Sequence, residues 1–414
     1  MESIPKRQRF GRNLAVFLAV LGPGLITGSV DNDAGGITTY SVLGARYGYS
    51  LLWVLIPSFI ALIVVQEMNA RMGMVTRKGL ADLIRENFGV RITFLIFVGL
   101  FLADIGNTAT EFAGVAGSLE IFHVSKYVSV PLSVLAVWLL VVKANYKSSE
   151  KLFLVFSVFL FSYVVSAAMA RPDWKAIGHS LIHPSFGFTG DEVGLVVGTI
   201  GTTIAPWMQF YMQSAVIEKG LTMKRYRYEL LDVVLGSIAT VVVAFFIVVA
   251  CAATLNVNGV EIDEAKDAAL ALEPLAGRLA SQVFAFGLFV ASIFSAMILP
   301  IATSFYICEA FGFEAGIDKT WKEAPTFYTI FTVIVVIGAG IILIPQAPLI
   351  AITIGTQIIN GVLLPLVLFT MIRLVNNPKV MGHHTNRRLN NIIAYLTVIV
   401  LVVLTAIMLV LNIL

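Results

Sequence analysis

The sequence predicts an all-α polytopic membrane protein. Three observations predict it: an apolar excess too large for one water-facing core, about eleven apolar runs of membrane-crossing length, and basic residues gathered on one side of those runs. Of the 414 residues, 58% are hydrophobic and 13% charged, whereas soluble domains run about 45–50% apolar and about 25% charged. Mean hydropathy is +0.89, so lipid must cover most of the excess. The net charge of +3 says little until the charges are located. Cys251 and Cys308 fall in separate apolar runs and offer neither a disulfide framework nor a metal spacing. There is no nucleotide-binding loop, nucleophile constellation or cofactor fingerprint, which argues against an enzyme and against a bound cofactor. Nothing points to nucleic acid or to an obligatory protein partner. The first apolar run continues past the length of a cleavable signal core.

About 20 apolar residues cross a hydrocarbon layer roughly 30 Å thick. Runs of this kind fall at 14–44 (interrupted), 51–70, 92–120, 127–144, 151–170, 191–217 (interrupted), 229–255, 279–311, 324–345, 347–374 and 390–413. With the N-terminus inside, 22 of the 28 Lys and Arg lie on the cytoplasmic side, from Lys6, Arg7, Arg9 and Arg12 through to Arg387 and Arg388. That asymmetry orients the chain in the cell membrane, N-terminus cytoplasmic and C-terminus extracellular. The segments are then a cytoplasmic N-terminal segment 1–13, a first half 14–171, an extracellular loop 172–190, a second half 191–376, and a cytoplasmic loop with the last span at 377–414. Residues 79–90 read as a short amphipathic cytoplasmic helix, and the acidic stretch 256–278 (Glu261, Asp263, Glu264, Asp267, Glu273) as a solvated outer loop.

Two runs are interrupted by residues a membrane helix avoids. The first contains Gly22-Pro23-Gly24 and then Gly28 to Gly36, with Asp31, Asn32 and Asp33 between; the sixth contains Gly198 and Gly201-Thr202-Thr203-Ile204-Ala205-Pro206. Proline removes a backbone donor and clashes with the preceding turn. Carbonyls freed at membrane depth must face protein, water or an ion. The two interruptions stand five spans apart, the pattern of an inverted-repeat transporter with its site at the broken helices. Carboxylates within the spans are Asp31, Asp33, Glu67, Asp104, Glu111, Asp232 and Glu309, with no Lys or Arg at mid-span. A lone carboxylate at the bilayer centre costs about 2.5–3.5 kcal/mol on insertion scales. Asp31 and Asp33 would also repel each other, so they need a cation or one must hold a proton.

Gly22-Pro23-Gly24, Asp31-Asn32-Asp33-Ala34 and Tyr49-Ser50-Leu51-Leu52-Trp53-Val54-Leu55 resemble the first two spans of the Nramp divalent-metal transporters. Gln66, Arg71-Met72-Gly73, Arg77-Lys78-Gly79-Leu80-Ala81, Glu111, Gly201 to Pro206, Gln357 and Leu364-Pro365 extend the resemblance over spans 1 to 10. It implies a LeuT-type fold, a 5+5 inverted repeat with helices 1 and 6 unwound around a divalent metal. The departures carry more information. The family reads Asp-Pro-Gly-Asn in span 1, where this chain has Asp31-Asn32-Asp33-Ala34. It reads Met-Pro-His in span 6, where this chain has Ala205-Pro206-Trp207. Its span-3 Asp is Thr108 here. Losing the methionine removes the soft thioether that favours transition metals and leaves an all-oxygen site. Alanine leaves room for Mg²⁺, which keeps several of its waters. Losing the His and the Asp removes groups the resemblance ties to proton coupling. The pattern is similar to the divergent Nramp-related magnesium transporters.

The resemblance makes Asp31 the expected ligand, directly or through water. Asp33 is a candidate ligand or neighbour by charge and place, and Asn32 either a ligand or a half-helix cap. Ala34 stands where the family's ligand Asn would be. Thr202 and Ala205 offer carbonyls, and Gln357 offers an amide oxygen or simply glues helices together. Glu111 is either a cation relay or a protonated, hydrogen-bonded carboxyl. Thr108, Trp207 and Gln209 line or pack against the route. The expected activity is alternating-access transport of Mg²⁺, with Mn²⁺ also carried, and no proton coupling. The alternatives are a proton-coupled transition-metal (Mn²⁺/Fe²⁺) importer of the ordinary Nramp type, and an ion-coupled amino-acid carrier, whose substrate carboxylate the two aspartates would repel. The expected partners are the cation itself and the lipid bilayer.

Overall fold

The computed structural model describes residue 17 and residues 19–143, 146–260, 262, 267–269, 273, 277–347 and 349–413, and all regular structure among them is helical. The N-terminal segment 1–13, with its four basic residues, and Glu261, Asp263 and Glu264 of the acidic stretch lie outside the described residues.

Helices α1 (Pro23–Val30) and α2 (Ala34–Tyr47) form the interrupted first span. The second span is α3 (Leu55–Thr76), followed by the short α4 (Leu80–Phe88) and by α5 (Val90–Glu120), α6 (Lys126–Lys143), α7 (Tyr146–Phe159) and α8 (Ser162–Met169). After α9 (Trp174–Ile182) come α10 (Gly190–Thr203) and α11 (Pro206–Glu218), the two pieces of the sixth span. The rest are α12 (Tyr226–Cys251), α13 (Arg278–Phe311), α14 (Pro325–Leu343), α15 (Leu349–Val375), the turn-long α16 (Pro378–Met381) and α17 (Arg388–Ile413). Among the described residues 10 helices are long and apolar enough to cross a membrane. The broken first span, too short in either piece to qualify alone, adds the eleventh, in line with the hydropathy.

Three local differences from the sequence reading have physical causes. Gly22-Pro23-Gly24 is a helix start, because Pro23 occupies the first helical position, where its missing N–H costs nothing. Gly35, Gly36, Gly198 and Gly201 lie inside helices, so the true interruptions narrow to 31–33 and 204–205. The segment 172–190 contains α9, opened by Asp173, whose carboxylate accepts the N–H groups of Lys175 (2.9 Å) and Ala176 (3.2 Å). In the fifth span a turn of i→i+3 bonds at Phe161, Tyr163 and Val164 tightens the helix between α7 and α8 without breaking it.

The interior glycines exist for packing. Gly24 and Gly28, four residues apart on one face of α1, lie against α12. A Cβ on Gly24 would come within 2.6 Å of the Val233 nitrogen, and one on Gly28 within 2.7 Å of the Gly236 carbonyl. Small residues at this spacing let two membrane helices approach backbone to backbone. Likewise a Cβ on Gly201 of α10 would strike the backbone of Gly361 on α15. Each broken span is thus held by a close neighbour, α1 by α12 and α10 by α15. Direct contacts of α10 with α2 and of α11 with α1 fix the two interruptions relative to each other.

Candidate functional site

In the first interruption α1 ends at Val30, and α2 restarts because Asp33 caps it. The Asp33 backbone is extended, and Oδ1 accepts the N–H of Gly36 at 2.6 Å. In the sixth span Pro206 has no N–H to continue α10, and the residue before a proline is pushed out of the helical region. Ala205 accordingly sits at ψ 140. The two interruptions meet around Gly36. The carbonyl oxygen of Asp31, the Thr202 hydroxyl and Asp33 Oδ1 lie 2.7, 3.1 and 3.4 Å from where a Gly36 Cβ would stand.

Within this cluster Asp31 stands apart. It is 1% exposed, and neither carboxylate oxygen has a hydrogen-bond partner. A buried ionised carboxylate without partners is costly, and native proteins pair such groups or place them on a cation. Among the described residues no three His, Cys, Asp or Glu side chains converge. A cation at Asp31 would therefore complete its shell with neutral oxygens and water, the ligand set of hard ions.

The other in-span carboxylates are occupied elsewhere. Glu67 accepts from Arg71 (2.7 Å), Tyr226 (2.5 Å) and Asn390 (3.2 Å). Glu309 accepts from Ser214 at 2.5 Å through Oε1, while its Oε2 has no partner. Asp232 takes the N–H groups of Gly22, Gly24 and Leu25 at the head of α1. Asp104 takes Thr303 (2.7 Å), Tyr306 (3.0 Å) and Asn107 (3.2 Å).

The remaining predicted residues divide in two groups. Glu111 belongs to the cluster: its Oε2 accepts the Ala34 N–H at 3.1 Å, at the start of α2, while Oε1 has no partner. Asn32 donates to the Thr240 carbonyl at 3.1 Å and keeps a buried, unpartnered Oδ1; the capping it was a candidate for falls to Asp33. Gln357 reaches the site, its Nε2 lying where a Gly35 Cβ would go. Its amide also bonds Asn107 (3.3 Å) and Asn360 (3.1 Å), so it joins helices as well. The Ala205 carbonyl already accepts from Met208 N–H (3.2 Å) and Gln209 Nε2 (3.0 Å), and can reach an ion only by releasing one of them. Gln209 is held in turn by Asn69 at 2.5 Å. Trp207 is buried in the main apolar cluster. The methyl of Thr108 packs against Gly338 on α14, and its buried hydroxyl has no hydrogen-bond partner. Sequence reasoning missed Thr240, Asn107 and Asn360, which are ordinary polar residues in apolar runs until the fold brings them together.

The family model described as natural resistance-associated macrophage protein-like (Nramp) matches residues 24–411. The chain belongs to the Nramp family. Its relatives include the divalent metal cation transporter MntH of Yersinia pestis (strain Pestoides F), 27% identical over 405 residues with 95% of each chain covered. The MntH of Erwinia tasmaniensis is 26% identical over 407 residues, covering 96% of this chain and 95% of its own. Among solved structures, the Eremococcus coleocola manganese transporter matches with a TM-score of 0.71 at 23% identity, over 94% of this chain and 85% of that one. A nucleobase-cation-symport-1 family transporter matches at TM-score 0.59 and 11% identity, over 94% and 92%. These likenesses establish the Nramp form of the LeuT-type fold, in a multi-pass membrane protein.

Proposed function

We propose that this Nramp-family chain moves divalent cations across the cell membrane by alternating access, with Mg²⁺ its main cargo and Mn²⁺ also carried, and without proton coupling. The observation that carries the reading is the sealed carboxylate of Asp31, unpartnered at the meeting of two broken helices. Asp31 binds the ion directly or through retained water, with Thr202 and the Asp31 carbonyl beside it and Asp33 adding negative charge. Divalent-cation transport is also what the MntH relatives are named for. Mg²⁺ is favoured by Ala205, which supplies no thioether, and by the oxygen donors of Asp31, Asp33 and Thr202. The two five-span halves, 14–171 and 191–376, rock against each other around the site, with the N-terminus inside and the C-terminus outside. The test is flux into liposomes, comparing Mg²⁺, Mn²⁺ and Ca²⁺ with and without a proton gradient. Failure to carry Mg²⁺ would overturn the reading.

A second reading, a proton-coupled importer of Mn²⁺ or Fe²⁺, is favoured by one observation: the unpartnered Oε1 of Glu111 beside the site, a buried acceptor suited to a travelling proton. The same flux experiment separates the two, since only this reading requires the proton gradient and excludes Mg²⁺.

A further inference from the structure

The seam between α3 and α12 carries a cavity at each end, and the two differ in chemistry. At the end that the basic residues assign to the inside, a cavity of ≈ 620 Å³ is lined by Arg71, Arg227, Arg387, His383 and His384, with Ile63, Val64 and Leu230 forming its apolar side. Toward the other end, a crevice of ≈ 230 Å³ is lined by apolar residues alone, among them Ile56, Phe59, Val241 and Phe245. Their lining residues recur along one face of each helix. On α3, Ile56, Phe59 and Ile63 follow at i, i+3 and i+7; on α12, Leu230, Val234 and Val241 follow at i, i+4 and i+11. Between the openings Ile60 is 46% exposed and Ile238 41% exposed, so apolar surface bridges them.

The charge balance of the inner cavity is positive. Glu67 is spent on Arg71, Tyr226 and Asn390, while the guanidinium groups of Arg227 and Arg387 form no ion pair or hydrogen bond among the described residues. Guanidinium groups favour phosphate, and basic pockets between membrane helices on the cytoplasmic side suit acidic lipid headgroups. From Leu230 to Val241 the seam runs roughly 16 Å at a helical rise of about 1.5 Å per residue. That is close to half of a hydrocarbon core about 30 Å thick, the depth of one leaflet. We propose that the α3–α12 seam binds an anionic glycerophospholipid, its phosphate in the Arg227–Arg387 cavity and an acyl chain laid along Ile60 and Ile238 toward the apolar crevice. The site is separate from the cation cluster. It bears on α1 all the same, because Asp232, five residues beyond Arg227 on α12, holds the head of that helix.

The test is native mass spectrometry of the full chain in detergent, titrated with dioleoylphosphatidylglycerol or dioleoylphosphatidylcholine. Phosphatidylglycerol is expected to be retained over phosphatidylcholine. An Arg227→Gln/Arg387→Gln variant, altered only at exposed side chains, should lose that retention by about tenfold or more while remaining monodisperse. Equal retention of the two lipids, or undiminished phosphatidylglycerol binding by the double variant, would overturn the proposal. So would binding of inorganic phosphate or glycerophosphoglycerol as tight as that of the whole lipid, which would make the cavity a free-anion site.

Discussion

Gly24 donates its backbone N–H to Asp232 Oδ2 across 2.8 Å, joining the head of the first broken helix to the start of the protein's seventh span. Gly22 and Leu25 donate to the same carboxylate at 3.0 and 3.2 Å. An eight-residue helix is too short to be stable alone, and its first N–H groups have no partner within it. Asp232 supplies those partners and a negative charge at the positive end of the helix dipole. The element carrying Asp31 is therefore supported by a side chain some 200 residues away in the sequence.

Asp232→Ala is expected to lower the stability of the metal-free protein by on the order of 2–3 kcal/mol, since it strands buried N–H groups. Asp232→Asn, which keeps an oxygen acceptor but not the charge, should recover part of the loss. Thermal unfolding in detergent reads both. An unshifted midpoint for Asp232→Ala would mean that α1 is held by its glycine packing against α12 and not by these bonds.

Spans, membrane class and the two interruptions were legible in the sequence because hydropathy, Pro206 and the Asp31–Asp33 cluster are local signals. The charge of Asp31 and the lack of a cationic side chain in its span were legible too, whereas its isolation from every hydrogen-bond donor emerged only from the fold. The glycines were misleading. Gly28, Gly198 and Gly201 look like helix breakers, yet they are contact points whose partners, Gly236, Ile358 and Gly361, lie in distant spans. Asp33 was read from its charge, whereas its backbone position makes it the cap of α2. The link from Thr303 through Asp104, Asn107 and Asn360 to Gln357 joins spans eight, three and ten, and no spacing along the chain announces it. Helix α9 had a readable start in Pro172-Asp173, an aspartate placed to cap, inside a stretch too polar to register as a span.

Removing the Asp31 carboxylate should separate stability from function. Asp31→Ala is expected to fold, insert and abolish Mg²⁺ uptake. Because a buried carboxylate without partners destabilises the protein, the metal-free variant should melt at or above the wild-type temperature. Wild-type protein should gain stability with Mg²⁺, about 2.7 kcal/mol at a hundredfold excess over Kd, and the variant should gain none. Metal-dependent thermal shifts and flux measure the two effects, and wild-type-like flux from the variant would remove Asp31 from the site.

Ala205→Met restores a thioether at the turn of the sixth span. The larger, softer side chain takes up space that a partly hydrated Mg²⁺ requires and favours softer ions. Mg²⁺ uptake should fall and Cd²⁺ uptake rise relative to it. Competition between the two metals in liposomes is the measurement, and an unchanged ratio would mean that residue 205 does not line the site.

Transport is expected to be uncoupled from protons. Coupling needs a group near the cation that binds and releases a proton during the cycle, and histidine suits that task near neutral pH. The five histidines, at 123, 179, 183, 383 and 384, all lie at or beyond the ends of the spans. By the resemblance, Trp207 stands where the family has its histidine and Thr108 where it has the span-3 aspartate; Trp207 is buried among apolar side chains and the Thr108 methyl packs against Gly338. The driving force does not require protons either. A membrane potential contributes about 2.3 kcal/mol per charge per 100 mV, so roughly 4.6 kcal/mol for a divalent ion entering an inside-negative compartment at about 100 mV. A pH-sensitive dye trapped in proteoliposomes, with the potential clamped by potassium and valinomycin, should report no change while Mg²⁺ enters. Acidification dependent on both protein and Mg²⁺ would show coupling, and Glu111→Gln would then be the variant to examine. It preserves an acceptor for the Ala34 N–H but cannot take up a proton. Loss of acidification with Mg²⁺ entry retained would identify Glu111 as the carrier.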